Sequence, residues 1–396
     1  MTTLNKLLLD TGSPPIPAMR ARFAAYDGQA GPAIDLSQAA PGDPPAPVLL
    51  RALGGMAADP RYAGYGPLAG DMALRTPFAA ELSRLYAARI DPAEIAITAG
   101  CNQAFLAAML AVARAGDAVL LPTPWYFNHA MALSLLGIEA RPLPCSAEAG
   151  FVPAPDDAAR LIDSRVRAIV LVTPNNPTGA IYPAETIAAF AELCRSRDIF
   201  LVLDETYVDF LPDAAAPPHA LFQGEWQDRL LRLSSFSKSY AIPGHRLGSL
   251  IAGRAVQAEL GKILDTVQIC PPRSAQAALA QAMPHLAAWR EENRAEMVAR
   301  AAACREALGG LNGWRVESVG AYFAYVRLPP EAPDAWEAAG RLADLGLLAL
   351  PGPAFGPAQE RHLRLAFANV SRARIPEIPA RLAALSLAEG CDARPA

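Results

Sequence analysis

The stretch Ser234-Ser235-Phe236-Ser237-Lys238 sets a lysine among serine hydroxyls, and Gly244-His245-Arg246-Leu247-Gly248 brings an arginine eight residues after that lysine. An amine and a clamp for phosphate therefore share one stretch, since a guanidinium fork matches phosphate oxygens. Thirty-four residues before the lysine, Leu201-Val202-Leu203-Asp204-Glu205-Thr206-Tyr207 runs from an apolar strand into two acids and a tyrosine. Asn175-Asn176-Pro177-Thr178-Gly179 follows another apolar run, Ile169 to Thr173. Thr98-Ala99-Gly100-Cys101-Asn102-Gln103-Ala104 turns through a glycine into a helix whose first N–H groups favour a phosphate. Singly, each cluster is also ordinary chemistry of a turn or a helix cap. What sets them apart is position, because open α/β sheets collect their ligands at strand ends.

The elements that must position these clusters form an alternating series. Helices are expected at Thr76 to Arg89, Asn102 to Ala113, Phe127 to Gly137 and Ala184 to Arg197. Strands are expected at Glu94 to Thr98, Ala118 to Pro122, Ala168 to Thr173, Phe200 to Asp204, Leu230 to Ser234 and Ser249 to Ala252. Strands that are apolar throughout and separated by helices predict a mostly parallel sheet covered on both faces. A helical region from Ser274 to Leu308 is long enough to link two domains. Beyond it, strands near Arg315 to Glu317, Tyr322 to Arg327 and His362 to Phe367 predict a smaller α+β domain. The first forty-five residues, rich in proline and glycine with one strand-like run at Ala33 to Leu36, read as an extended arm. Cys391 to Ala396 reads as a loose tail.

Composition narrows the classes. With 396 residues the chain is long for a single core. Apolar residues make up 52%, charged residues 19%, and the net charge is −4, as in a folded globular protein. Basic residues are scattered, without the runs that would mark a nucleic-acid or polybasic membrane surface. The N-terminal stretch Met1 to Arg22 lacks the apolar core of a secretory signal. Six cysteines stand far apart without paired spacing, which disfavours zinc and a disulfide framework and makes a cytoplasmic location the expectation.

Taken in order, the clusters resemble the aminotransferase class I and II family, enzymes of fold type I that use pyridoxal 5'-phosphate (PLP). The match runs from about residue 33 to about 375. Its landmarks are Tyr65 with Gly70, the Gly100 turn, Pro124 with Tyr126, the Asn-Asn-Pro-Thr-Gly segment, Asp204 with Tyr207, Ser-Phe-Ser-Lys with Arg246, and Arg364 in His-Leu-Arg-Leu-Ala-Phe. The resemblance implies an α/β fold: a large domain whose mostly parallel seven-stranded sheet lies between helices, and a smaller α+β domain. It places an N-terminal arm and part of the small domain in residues 1–45, the large domain in 46–290 and the small one in 291–390.

The resemblance also implies roles. Lys238 carries the cofactor and is the catalytic base. Asp204 favours the protonated ring nitrogen, Asn176 and Tyr207 donate to the phenolic oxygen, and Tyr126 lies on the ring. Cys101, Asn102, Ser235 and Arg246 meet the phosphate, as does Tyr65 across the interface of a homodimer. Arg364 holds the substrate carboxylate, with Asn176 and the arm at Ala39 beside it. The arm departs from the family in having Gln38-Ala39-Ala40 where a glycine is common, and His245 replaces a more usual apolar residue. Arg273 could meet an acidic substrate, although a structural role at a helix start fits it better.

The implied activity is transfer of an amino group between an amino acid and a 2-oxo acid. The same cofactor residues would serve a lyase or cyclase, with C–S cleavage or elimination as the reaction. A PLP-sensing regulator without turnover carries a DNA-binding domain ahead of this fold, and only about thirty residues precede the match here. A nicotinamide dehydrogenase is disfavoured because no Gly-x-Gly-x-x-Gly turn follows the first strand.

Overall fold

The computed structural model describes residues 4–213 and 215–387. Two helices, α1 (Lys6–Asp10) and α2 (Pro15–Phe23), and a two-residue strand, β1 (Ile34–Asp35), precede α3 (Pro47–Ala57) and α4 (Met72–Leu85). There follow β2 (Ile95–Thr98), α5 (Cys101–Val112), β3 (Ala118–Thr123), α6 (Phe127–Leu135), β4 (Glu139–Pro144), α7 (Pro155–Leu161) and β5 (Val166–Val172). Next come α8 (Ala184–Ser196), β6 (Phe200–Asp204), β7 (Leu230–Ser235), α9 (Phe236–Ser239) and β8 (Gly248–Ile251). The helices α10 (Arg254–Val267), α11 (Arg273–Ala282) and α12 (Ala287–Gly309) lead to β9 (Arg315–Gly320) and β10 (Phe323–Arg327). The chain continues through α13 (Ala335–Asp344), β11 (Leu347–Leu348), β12 (Leu350–Pro351) and β13 (His362–Ala366) to α14 (Ile378–Leu387).

Seven strands form one sheet in the order β2-β8-β7-β6-β5-β3-β4, and only β8 runs against its neighbours. Alternate residues of its strands feed two different cores. Ile169, Leu171, Leu201 and Leu203 pack into one, and Val170, Val172, Val202 and Leu233 into the other. This is the burial on both faces that continuous apolar strands require. A four-stranded antiparallel sheet, β12-β13-β10-β9, has a third core, in which Leu342, Leu363, Leu365 and Leu382 are joined by Met19, Ile34 and Leu36 from the N-terminal segment. Among the described residues, no helix is long and apolar enough to cross a membrane.

Several expectations are corrected. The first forty-five residues are not simply extended: they hold α1 and α2, and the proline in the first turn of α2 is compatible with helix there. The strand-like run expected at Ala33 to Leu36 does contain a strand, β1, which pairs in parallel with β11 as a separate two-stranded sheet. The single long helix from Ser274 to Leu308 is two helices broken at the turn Met283–His285, where Pro284 removes a backbone donor. The polar edge strand β4 and the helix α10 were not anticipated. The expected tail, Cys391 to Ala396, lies outside the described residues.

Candidate active site

Strands β5, β6 and β7 run parallel and in register, with Val172 opposite Asp204 and Asp204 opposite Leu233, so their C-terminal ends open on one cavity. Asp204 ends β6 with its carboxylate buried. Its Oδ1 accepts hydrogen bonds from Thr206 N at 2.9 Å and Thr206 Oγ1 at 2.7 Å. Its Oδ2 lies 3.4 Å from His129 Nε2 and 3.7 Å from Cys101 Sγ. Burial alone would raise the pKa of this acid, but His129 and Thr206 outweigh it and hold Asp204 below the usual carboxylate range. The cavity is thereby given a buried anion.

His129, on α6, was not singled out by sequence reasoning. Its ring stacks on Phe105 of α5 with centroids 3.9 Å apart, which fixes the imidazole edge toward Asp204. The signal available in the sequence was a histidine within the largely apolar run of α6, which the structure buries. Glu205, next to Asp204, takes the opposite direction, as the alternation of strand side chains dictates. It is bound by Arg232 Nε at 2.9 Å and by the Tyr86 hydroxyl, with His219 Nε2 at 3.3 Å. Despite burial, these partners lower its pKa to about 2. Only one of the two acids therefore serves the cavity.

Lys238 sits on the short helix α9, which Ser235 caps by accepting from Ser237 N at 3.2 Å. The lysine Nζ donates to the carbonyl of Ala39 on the N-terminal segment. Burial, and then the nearby Arg246 and Arg364 guanidiniums, lower its pKa from 10.5 to about 8. A substantial neutral fraction is thus present near pH 8.

Arg246 follows the next turn with φ +50°, in the left-handed region, and donates from Nη1 to Pro243 O at 2.9 Å. Its guanidinium lies over Gly100, the residue at φ +91° from which α5 starts, so that a Cβ at Gly100 would land on Arg246 Nη2. Gly248 packs equally closely beneath, where a Cβ would lie 2.6 Å from Cys101 N. Two glycines and one arginine therefore shape a cradle at the N-terminus of α5, whose first N–H groups have no partner within the helix.

Arg364, in the middle of β13, is buried. Nη1 donates to Asn176 Oδ1 at 3.1 Å and Nη2 to the Ser37 carbonyl, and its Cζ lies 4.9 Å from the centroid of Phe355 and 5.3 Å from that of Phe323. Its Nε has no hydrogen-bond partner among the described residues. Burial lowers the pKa of this guanidinium to about 10. Tyr126 caps α6 with its hydroxyl 3.5 Å from Asn102 Oδ1, and burial pushes that hydroxyl up to about 12. Tyr207 is buried beside Tyr322 and Phe323, and burial likewise raises its pKa.

These groups share a cavity of about 420 Å³. Of the residues nominated from sequence, Ala39, Cys101, Asn102, Tyr126, Asn176, Asp204, Tyr207, Ser235, Lys238, Arg246 and Arg364 line it. Tyr65 does not, being 80% exposed on the surface of this chain. His245 is exposed on the turn before Arg246 and also lies outside. Arg273 is outside too. Its Nη1 donates to the carbonyls of Arg61 at 3.0 Å and Gly64 at 3.3 Å, and its Nε lies 3.5 Å from Asp71. It fastens the loop that carries Tyr65.

Comparison with known proteins identifies this constellation. Residues 32–382 match the family "Aminotransferase class I and II". The chain belongs to that family. It is 32% identical to the arginine–pyruvate transaminase of Pseudomonas aeruginosa over 330 residues, 82% of each chain. It is 30% identical to the valine–pyruvate aminotransferase of Mycobacterium tuberculosis over 373 residues, 93% of this chain and 95% of that one. The structure superposes on the aspartate aminotransferase of Thermus thermophilus with maleate at a TM-score of 0.88 and 26% identity, covering 97% of this chain and all of the other. The protein is accordingly an amino-group transferase of the PLP-dependent, fold type I class.

The residues of this aminotransferase fit that cofactor. The glycine-lined cradle below Arg246 would accept a phosphate, Asp204 offers an ionised carboxylate, and Lys238 offers an amine with a lowered pKa. The cradle makes a direct prediction. In Gly100→Ala, a Cβ at φ +91° would be strained and would displace Arg246. The pair φ +91°, ψ 166° is a backbone region held essentially by glycine alone, and with Arg246 pushed off the phosphate a charge-assisted hydrogen bond of about 1.5–3 kcal/mol is lost, so PLP affinity should fall about tenfold or more. Absorbance titration of the PLP-free protein measures this, and an unchanged Kd would show that the phosphate sits elsewhere.

Proposed function

We propose that Lys238, Asp204 and Arg364 are the residues through which this enzyme moves an amino group between an amino acid and a 2-oxo acid. The observation that carries this reading is that an amine with pKa near 8 and a buried, incompletely paired guanidinium share one cavity with an ionised acid. When bound, PLP supplies a carbonyl carbon for the substrate amine and a ring that draws charge from the substrate α-carbon. The protein's part is positional and electrostatic. Arg364 binds the α-carboxylate through its fork and so fixes which α-carbon bond faces the base. Lys238 Nζ takes the proton from that α-carbon as base and then, as acid, would deliver it to the carbon that keeps the amino group. Asp204, held ionised by His129 and Thr206, favours a proton on the ring nitrogen. Asn176 and Tyr207 serve the phenolic oxygen, Tyr126 packs on the ring, and Cys101, Asn102, Ser235 and Arg246 hold the phosphate.

In the same reading the enzyme is a homodimer. Tyr65, Leu68 and Met72 are large, exposed and carried on or just after the loop that Arg273 fastens. A second copy would cover them and bring its Tyr65 to the neighbouring phosphate site. Among the described residues, those from 46 to 290 form the PLP-binding domain and those from 291 onward form the small domain, which the N-terminal segment joins through Met19, Ile34 and Leu36. The cysteines, spaced singly, suit a reducing cytoplasm.

The test is to load the protein with PLP, add amino acids one at a time without an acceptor, and follow the cofactor's visible absorption with product analysis. Transamination leaves one 2-oxo acid per site, the cofactor as its amine, and no ammonia. Catalytic release of ammonia or sulfide would replace the reading with a lyase. Absence of any response to every amino acid would remove it.

A further inference from the structure

We infer, building on the roles proposed above for Arg364 and Tyr126, that Phe355 is a positioning residue. It holds the Arg364 guanidinium at a fixed place relative to the segment Trp125-Tyr126-Phe127, and so sets where the substrate carboxylate binds with respect to the cofactor ring. Phe355 closes the helical turn Gly352–Phe355 between β12 and β13. It is fully buried and does not line the cavity, so it acts from behind the wall.

Two sets of contacts meet on this residue. Its carbonyl accepts from Trp125 N at 2.8 Å, and its ring centroid lies 5.9 Å from that of Phe127, which is 5.2 Å from that of Tyr126. The Arg364 guanidinium lies over the same Phe355 ring, with 4.9 Å from Cζ to the centroid. One residue therefore joins the segment that carries Tyr126 to the buried cation of β13. The turn is shaped for this approach. At Gly356, where φ is +116°, a Cβ would lie 3.1 Å from the Trp125 ring, so the residue after Phe355 has to be a glycine for the turn to lie against Trp125.

Hydrogen bonds alone leave the guanidinium underdetermined. Nη1 donates to the Asn176 side chain and Nη2 to the Ser37 carbonyl, both at the fork, while Nε has no partner among the described residues. A guanidinium is planar and stacks on aromatic faces. The rings of Phe355 and Phe323 supply such faces and restrict a tilt that two bonds at the fork leave free. Phe355 and Arg364 are 0% and 2% exposed within one chain, so their contact is complete whatever a second copy brings to the cavity.

The experiment uses the PLP-loaded enzyme and three probes. Propionate is a carboxylate without an amine, propylamine is an amine without a carboxylate, and the third is the amino acid that reacts fastest with the wild type. Apparent Kd values are read from the cofactor's visible absorption, or by competition for propionate, and the Kd of PLP from titration of the PLP-free protein. Phe355→Leu keeps the carbonyl that Trp125 binds and removes the aromatic face. In this variant the Kd of propionate and of the amino acid should both rise about 3- to 30-fold, the scale of a desolvated cation over an aromatic ring. The Kd of propylamine and of PLP should stay within about twofold of wild type, as for groups that do not touch Phe355. Phe355→Met, which keeps more of the apolar volume without a face, should behave in the same way and decides the matter if Phe355→Leu does not fold. Equal losses for propionate and propylamine, or a matching loss of PLP affinity, would make Phe355 a packing residue and overturn the inference. Propionate binding unchanged in both variants would overturn it as well. If Arg364→Leu itself binds propionate as tightly as the wild type, the reading of Arg364 on which the inference rests has failed instead.

Discussion

Lys238→Ala is expected to abolish amino transfer while leaving the protein folded. The variant loses the group that carries the α-proton, and a positioned general base alone contributes about 10²–10⁴-fold. It also loses the amine that anchors the cofactor, so the fall should exceed that range. Lys238→Arg, which keeps a cation without a titratable amine, should be equally inactive. Stability should move the other way. The folded pKa of Lys238, about 8, is below its ordinary value of 10.5, so between these values the unfolded chain binds more protons. The PLP-free protein should therefore gain stability as pH rises from about 8 to 10.5, and below pH 8 it bears the full cost of the buried cation. In Lys238→Ala that pH dependence should flatten, and at pH 7 the variant should melt no lower than the wild type. Uptake of PLP by the wild-type protein should accelerate up to about pH 8 and then level off, because the neutral amine is the reactive form. Residual turnover above a hundredth of wild type, or uptake indifferent to pH, would remove Lys238 from this role.

The chemistry around Lys238 was legible because chain order exposes it. Strand ends bearing Asp204, Asn176 and Lys238 follow runs such as Ala168–Val172 and Leu201–Leu203, which are apolar at every position and can only be central strands. What sequence could not show is direction and partnership. Asp204 and Glu205 are adjacent acids, and which of them faces the cavity depends on the pleat of β6 and on Arg232 and Tyr86 waiting behind it. His129 acquires its meaning only because Phe105, on another helix, supplies the surface that orients its ring. The missed elements have local causes. Strand β4 carries Arg141, Pro142 and Pro144 because it lies at the sheet edge, where such residues are tolerated. Helix α2 begins at Pro15, which looks like extended chain to a composition count but costs little in a first turn. The arm is specified by distant residues: Arg364 and Lys238 each hold one of its carbonyls, at Ser37 and Ala39.

The second large effect concerns that same Arg364. Its guanidinium is buried and, among the described residues, meets only neutral oxygens and two aromatic faces and keeps an unpartnered Nε, while burial lowers its pKa to about 10. A cation held this way is poorly compensated until a carboxylate arrives, which is the arrangement a carboxylate-binding site needs. In Arg364→Leu the carboxylate should lose about 2–5 kcal/mol of binding, the cost of truncating one member of a buried charge pair. The value of kcat/KM should thus fall about 30-fold to several thousand-fold for every amino acid. Arg364→Lys should recover only part of this, since one ammonium cannot match both oxygens. The PLP-free form of Arg364→Leu should meanwhile be at least as stable as the wild type, because a buried, incompletely paired charge is gone. A simple alkylamine, which lacks the carboxylate, separates binding from damage: it should react with the cofactor at similar rates in wild type and Arg364→Leu. Equal slowing of amine and amino acid would mean that Arg364 supports the structure of the site and does not read the substrate. Slowing confined to amino acids makes it the residue that decides which molecules reach Lys238 in a productive pose.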